Sequence, residues 1–149
     1  MLIDHLLAPD HNRYNDIVPF RRTSVKVDDE NCAEPSRWYV NASYIMTPYM
    51  ECKRIIAAQG PLGNTISNFW KMVKQNNIAL IVMLCDLTEH GVVKCANYWD
   101  VRETNATEES LREMPTKVNS KKISPGLIQR TMTVTSSIAD DDSMQGQHK

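Results

Sequence analysis

The run from Ile78 to Leu84, Ile-Ala-Leu-Ile-Val-Met-Leu, is continuously apolar, bounded by Asn76-Asn77 on one side and Cys85-Asp86 on the other. It is too short to cross a bilayer as a helix, which takes about 20 apolar residues. Its length and branched side chains instead predict a strand with both faces buried, as at the centre of an α/β sheet. Such a strand needs covering elements, and its neighbours supply candidates. Upstream, Ile66, Phe69, Trp70 and Val73 recur at i, i+3, i+4 and i+7, so a helix is expected over 65–76 with Asn64 or Thr65 as its cap. Before it, 39–45 and 54–58 carry strong β-formers, and Gln59-Gly60-Pro61-Leu62-Gly63 is a turn. Downstream, Glu89-His90-Gly91 is expected to turn into a strand over 92–99. Strand, helix and strand in this order make a parallel-type unit, and the class is α/β or mixed α+β.

The ends carry less pattern. From Arg102 to Lys122 the chain is charged and polar, which predicts a long surface loop, and 127–134 suits one more strand. Residues 135–149 form a polar stretch with a small acidic cluster, expected to be a mobile tail. The domain reading is therefore one ordered unit over 1–134 followed by that tail. At 149 residues the chain is long enough for one domain with a core of its own.

Charge and cysteine usage exclude several classes. The chain has 17 Lys and Arg against 18 Asp and Glu, a net charge of −1, which argues against a nucleic-acid binder. No apolar run reaches membrane-spanning length, and Met1–Ala8 lacks the basic leader of a signal peptide. Cys32, Cys52, Cys85 and Cys95 make no zinc-ligand spacing, so reduced thiols in an intracellular protein are expected. The histidines stand singly, and the glycines form no phosphate-cradling loop. No metal and no cofactor are expected.

A series of short segments remains. It runs Asn12-Arg13-Tyr14-Asn15-Asp16-Ile17-Val18-Pro19-Phe20, Tyr39-Val40-Asn41-Ala42-Ser43-Tyr44-Ile45 and Ala58-Gln59-Gly60-Pro61-Leu62 with Asn64-Thr65. Phe69-Trp70-Lys71-Met72-Val73, Ile81-Val82-Met83-Leu84 and Lys94-Cys95-Ala96-Asn97-Tyr98-Trp99 complete it. In order and spacing these resemble the N-terminal half of a protein-tyrosine phosphatase domain, from Asn12 to Trp99 and more thinly to Val134. The resemblance implies a twisted sheet flanked by helices, here truncated. Arg21-Arg22-Thr23-Ser24, Trp38, Gly63 and Asp100 depart from the family's usual residues.

The family's chemistry implies a cysteinyl-phosphate intermediate. It uses a low-pKa cysteine opening a loop that ends in arginine six positions on, a mobile aspartic acid, and a glutamine that positions water. Here Cys32, Cys52, Cys85 and Cys95 are followed at that distance by Trp38, Ala58, Gly91 and Val101, and no Trp-Pro-Asp occurs. The expectation is an inactive fragment that resembles a phosphoric monoester hydrolase, with no catalytic residue assignable. The alternative is a non-catalytic phosphotyrosine- or protein-binding module, a pseudophosphatase.

By the same resemblance, Tyr14 lines the phenol ring of a phosphotyrosine substrate and Asp16 orients a bound peptide backbone. Glu89 and Lys94 are possible supports whose family partners are lacking, so solvated surface charges describe them at least as well. Phe69 and Trp70 are expected in the core, and Cys95 as a buried, inert thiol. The implied partners are phosphotyrosine-containing proteins or peptides. The implied location is the cytoplasm or the intracellular part of a receptor-type parent. A sheet cut short would leave Ile78–Leu84 with an open edge and an exposed apolar face.

Overall fold

The computed structural model describes residues 8–27, 38–46, 55–100 and 108–134. The tail expected over 135–149 and the cysteines Cys32 and Cys52 lie outside them. Three short antiparallel sheets and two helices make up the described part, a mixed α+β arrangement. Strands β1 (Ser24–Lys26), β2 (Tyr39–Ile45) and β3 (Ile55–Ala58) pair in that order, with Ala42 opposite Ala58 and Ile45 opposite Ile55. Along β2 the four residues Tyr39 to Ala42 are all buried, so both faces of its first half are covered.

Helix α1 (Ile66–Gln75) follows a single 3-10 turn over Gly63–Thr65. Its apolar stripe lands as the periodicity requires: Ile66, Phe69, Trp70, Met72 and Val73 are all buried. The expected cap differs in detail. The Thr65 hydroxyl accepts from the Leu62 amide at 2.9 Å and makes no cap bond to the helix, so the hydroxyl fixes the entry turn instead. The helix is tied to β2 at both ends, through Asn68 Nδ2 to the Tyr39 carbonyl at 2.8 Å and Tyr44 Oη to Asn76 Oδ1 at 2.8 Å. Around Trp70 lies an aromatic cluster in which Phe69, Tyr98 and Trp99 meet edge-on or tilted, and Trp70 Nε1 donates to the Tyr98 carbonyl at 2.7 Å.

Three expectations need correction. First, Ile78–Leu84 belongs to no strand ladder among the described residues. Instead of two buried faces it has one. Ile81, Met83, Cys85 and Leu87 turn inward against the core, while Leu80, Val82 and Leu84 are 77%, 67% and 93% exposed. Apolarity tells that a run favours burial; it does not supply the neighbouring strands that cover it. With no ladder on this run, the parallel unit does not form among the described residues. Second, the strand expected over 92–99 pairs only at its start. Strands β4 (Thr88–Glu89) and β5 (Val92–Val93) form a hairpin whose His90 and Gly91 have φ of 49° and 78°, the left-handed pair of a tight hairpin turn. Beyond it, the Leu87 carbonyl accepts from both Lys94 and Cys95 amides (2.8 and 3.3 Å), and the chain leaves the ladder.

Third, the stretch taken as a surface loop over 102–122 contains helix α2 (Glu108–Glu113) and most of strand β6 (Lys117–Ser124). Strand β6 pairs with β7 (Leu127–Thr133), the strand expected at 127–134, and the turn between them places Gly126 at a φ of 77°. Strand β6 hides from a search for apolar alternation, because all its residues but Val118 are exposed. Helix α2 is held to α1 by the Lys74–Glu113 ion pair at 2.7 Å and by Met114, which is 1% exposed.

Candidate functional site

The loop Asn12–Ile17 is built from the inside outward. Asn12 Oδ1 accepts from Tyr39 Oη at 2.7 Å and from Asn41 Nδ2 at 2.9 Å, and the same Asn41 amide donates to the Ile17 carbonyl at 2.7 Å. One buried asparagine on β2 thus clamps both ends of the loop. Gln59, just past the end of β3, holds the start of the loop: its Nε2 donates to the His11 carbonyl at 2.7 Å, and its Oε1 accepts from the Arg13 amide at 2.9 Å.

Arg13 completes the junction. Its guanidinium donates to the carbonyls of Gly60 (3.2 and 3.1 Å), Pro61 (2.8 Å) and Val93 (2.9 Å). A planar fork that reaches three carbonyls on two segments is a geometric clamp, a task a lysine cannot perform. Gly60 sits so close to the 94–95 segment that a Cβ there would lie 2.5 Å from the Lys94 carbonyl oxygen. The Ala96 amide donating to the Pro61 carbonyl at 2.8 Å closes the contact.

What this frame presents to solvent is Tyr14, 47% exposed. Lys94 Nζ donates to Tyr14 Oη at 2.6 Å and lies 5.4 Å from the ring centroid. The hydrogen bond to Tyr14 is the main cause that raises the Lys94 pKa above its usual value, with Glu89 contributing attraction and the Arg13 charge opposing it. Asp16 is an exposed carboxylate two residues on, with no polar partner among the described residues. Glu89 turns toward its own hairpin, its Oε1 accepting from the Asp86 amide at 3.2 Å. Of the four residues singled out in the sequence, Tyr14 and Lys94 are therefore in contact. Glu89 acts on Lys94 only through its charge, and Asp16 stands apart.

Cys95 is 3% exposed and its Sγ lies against the Ala96 carbonyl at 3.3 Å. Burial pushes its thiol up to about 11, with the neighbouring Cys85 adding to the rise, which is the inert thiol expected. The same burial pushes Tyr98 up to about 12. No cluster of His, Cys, Asp or Glu suited to a metal ion occurs among the described residues. A cavity of about 590 Å³ lies along Phe20–Thr23, and none of its lining residues is a candidate above.

Arg13 and Gln59 went unmarked as site residues in the sequence. Arg13 stands between Asn12 and Tyr14 in the quoted motif, and the adjacency was the available signal. Its partners lie 46 to 80 residues away, so the clamp itself leaves no local trace.

Comparison with known proteins agrees with this frame. The sequence model of the protein-tyrosine phosphatase family matches residues 8–149. The chain is 38% identical over 107 residues to receptor-type tyrosine-protein phosphatase eta of Gallus gallus, covering 72% of this chain and 7% of that protein. It is 33% identical over 129 residues to tyrosine-protein phosphatase 69D of Drosophila melanogaster, covering 87% and 8%. With tyrosine-protein phosphatase non-receptor type 20 of Rattus norvegicus it shares 43% over 93 residues, 62% of this chain and 21% of that protein. The chain belongs to the protein-tyrosine phosphatase family. It spans a small part of the length of these relatives.

Proposed function

We propose that this chain is the N-terminal, substrate-recognition part of a tyrosine phosphatase domain, and that alone it turns over no phosphate ester. The observation that carries the reading is Tyr14, held half-exposed on a loop clamped by Asn41, Gln59 and Arg13. A rigid aromatic wall of this kind suits stacking against a phenol ring, worth about 0.5–1.5 kcal/mol beyond area burial. No cysteine of the chain has arginine six positions on and no Trp-Pro-Asp is present. A reaction that relies on positioned charge to stabilise phosphoryl transfer then has neither its nucleophile nor its acid. Incubating the purified chain with p-nitrophenyl phosphate is expected to give no release of p-nitrophenol. Turnover that survives removal of contaminating phosphatases would refute the claim.

The contact between Lys94 and Tyr14 favours a second reading, a non-catalytic phosphotyrosine-binding module. An ammonium 2.6 Å from the phenol oxygen puts a positive charge beside the aromatic wall, where a phosphate could accept from it. On this reading a phosphotyrosine peptide binds more tightly than its unphosphorylated form, and Lys94→Met removes the difference. Equal affinity for the two peptides would eliminate it. We infer an intracellular setting from the same family chemistry; among the described residues no helix is long and apolar enough to cross a membrane.

A further inference from the structure

The hairpin of β6 and β7 is anchored at its base and free beyond it. Met132 and Val134 pack against the core, and the Arg130 guanidinium lies 4.2 Å from the centroid of the Trp99 ring. From Asn119 to Gln129 every residue is exposed, so the outer part of the ribbon projects with both faces in water. Its tip is nevertheless aliphatic: Ile123, Leu127 and Ile128 are 47%, 54% and 51% exposed around the turn at Gly126. Directly behind the tip stand Lys121 and Lys122, paired across the ribbon with Gln129 and Ile128, and Lys117 follows nearer the base. None of the three lysines forms an ion pair among the described residues. From Met114 to Ala139 the sequence holds Lys117, Lys121, Lys122 and Arg130 and no acid at all, in a chain whose net charge is −1. A sheet cut short leaves apolar surface bare, as along 78–84, but it does not account for lysines without acids.

We propose that this hairpin docks the chain on an anionic lipid bilayer, the aliphatic tip entering the interface and the lysines meeting the headgroups. The order of chemistry along the arm selects the occupant. A bilayer of acidic lipids presents negative charge outside and hydrocarbon beneath, the same sequence as lysines and then aliphatic tip. A nucleic acid would satisfy the lysines alone, leaving Ile123, Leu127 and Ile128 in water, and β6 and β7 carry no aromatic side chain for bases to stack on. An acidic peptide needs a groove, whereas the tip is convex. Two weak signals, a few cations and a small apolar insertion, give reversible and salt-sensitive attachment.

Cosedimentation of the full chain with lipid vesicles tests this. Vesicles of phosphatidylcholine with about 30% phosphatidylserine are expected to carry the protein down, and pure phosphatidylcholine vesicles to bind it at least roughly tenfold less. Lys121→Gln combined with Lys122→Gln should weaken binding by about twentyfold, roughly fivefold for each lysine. Leu127→Ser leaves the charge intact and should cost about tenfold through lost apolar burial. Arg21→Gln combined with Arg22→Gln removes two exposed cations elsewhere and should change binding by less than about twofold. All these positions are exposed or at the ribbon tip, and circular dichroism superimposable on the parent confirms that each variant folds. No binding to the anionic vesicles, equal binding to both compositions, or an equal loss in the Arg21 and Arg22 variant would overturn the proposal. So would full binding by Leu127→Ser, which would make the hairpin a polyanion site that reads charge alone.

Discussion

The junction around Arg13 and the run from Ile78 to Leu84 are opposites in one molecule. At the junction nearly every polar group has a partner: Arg13 bonds three carbonyls, Gln59 bonds two main-chain groups, and Asn41 ties both ends of a loop. Along the run the residues are individually well suited to a core, yet half of their side chains face outward. The difference teaches what each kind of sequence encodes. Polar loop residues name their partners by geometry, so a loop can be completed by the few segments that touch it. An apolar strand names no partner, and its burial depends on surfaces that other segments must supply.

If the junction is held by close packing as well as hydrogen bonds, Gly60 is where it breaks first. Gly60→Ala would drive a methyl group to within 2.5 Å of the Lys94 carbonyl oxygen, and main chain cannot swing aside as a side-chain tip can. We expect a loss of about 3 kcal/mol, at the upper end of ordinary overpacking costs. Urea denaturation of the variant beside the parent measures it. A loss under about 0.5 kcal/mol would mean that the 94–95 segment moves freely, and the contrast between the two regions would dissolve.

Arg13→Ala removes the clamp without adding bulk. The part-buried Gly60 carbonyl loses both its bonds, while Pro61 keeps the Ala96 amide and the Val93 contact is exposed; an unsatisfied buried acceptor costs roughly 1–3 kcal/mol. Water can reach part of the site, so about 2 kcal/mol is expected by the same denaturation measurement. Arg13→Lys should recover little of it, because one ammonium cannot span Gly60, Pro61 and Val93 together. Full rescue by lysine would show that charge rather than the planar fork matters.

How much of this was legible beforehand follows the same division. Helix α1 was readable because Ile66, Phe69, Trp70 and Val73 repeat at the helical period within one short stretch. Strand β2 was readable because its β-formers are local and strong. The hairpin turn at His90-Gly91 was readable from its residue types. The fate of 78–84 was legible only through the resemblance, which implied a cut sheet with an exposed apolar face here; the run's own composition pointed to two-sided burial, which depends on neighbours it cannot specify. Strands β1 and β6 escaped notice for the converse reason: Ser24–Lys26 is too short for a pattern, and Lys117–Ser124 has no apolar face. Tyr14 and Lys94 were marked separately, and the 80 residues between them conceal their contact. Arg13 was passed over because an arginine that bonds main-chain carbonyls looks, in sequence, like any surface arginine.

A third expectation concerns pH and the thiol behind the junction. Cys95 rises from 9.0 to about 11 in the fold, so the unfolded chain ionises first as pH increases. The unfolded state then holds fewer protons than the folded state, and stability falls with rising pH. The contribution is full below pH 9, declines between 9 and about 11, and is lost above. Tyr98, raised from 10.0 to about 12, continues the decline at higher pH, and Lys94, raised mainly by its hydrogen bond to Tyr14, acts in the same direction. Denaturation midpoints taken from pH 8 to 12 should therefore slope downward from pH 9. In Cys95→Ala the slope should begin near pH 10. An unchanged onset in that variant would show that the thiol is not shielded.

The smallest effect expected is the most telling for the run. Leu84→Ala deletes an apolar side chain from what sequence alone would place in a central strand, where the cost would be about 2–5 kcal/mol. Leu84 is instead 93% exposed, so the truncation removes almost no buried surface and leaves no cavity. Stability, measured by urea denaturation, should change by less than about 0.5 kcal/mol. A loss of several kcal/mol would place Leu84 under cover within the monomer, and the open face would then be closed by the chain itself. The value near zero keeps the two regions distinct: one completed from within, the other waiting on a second surface.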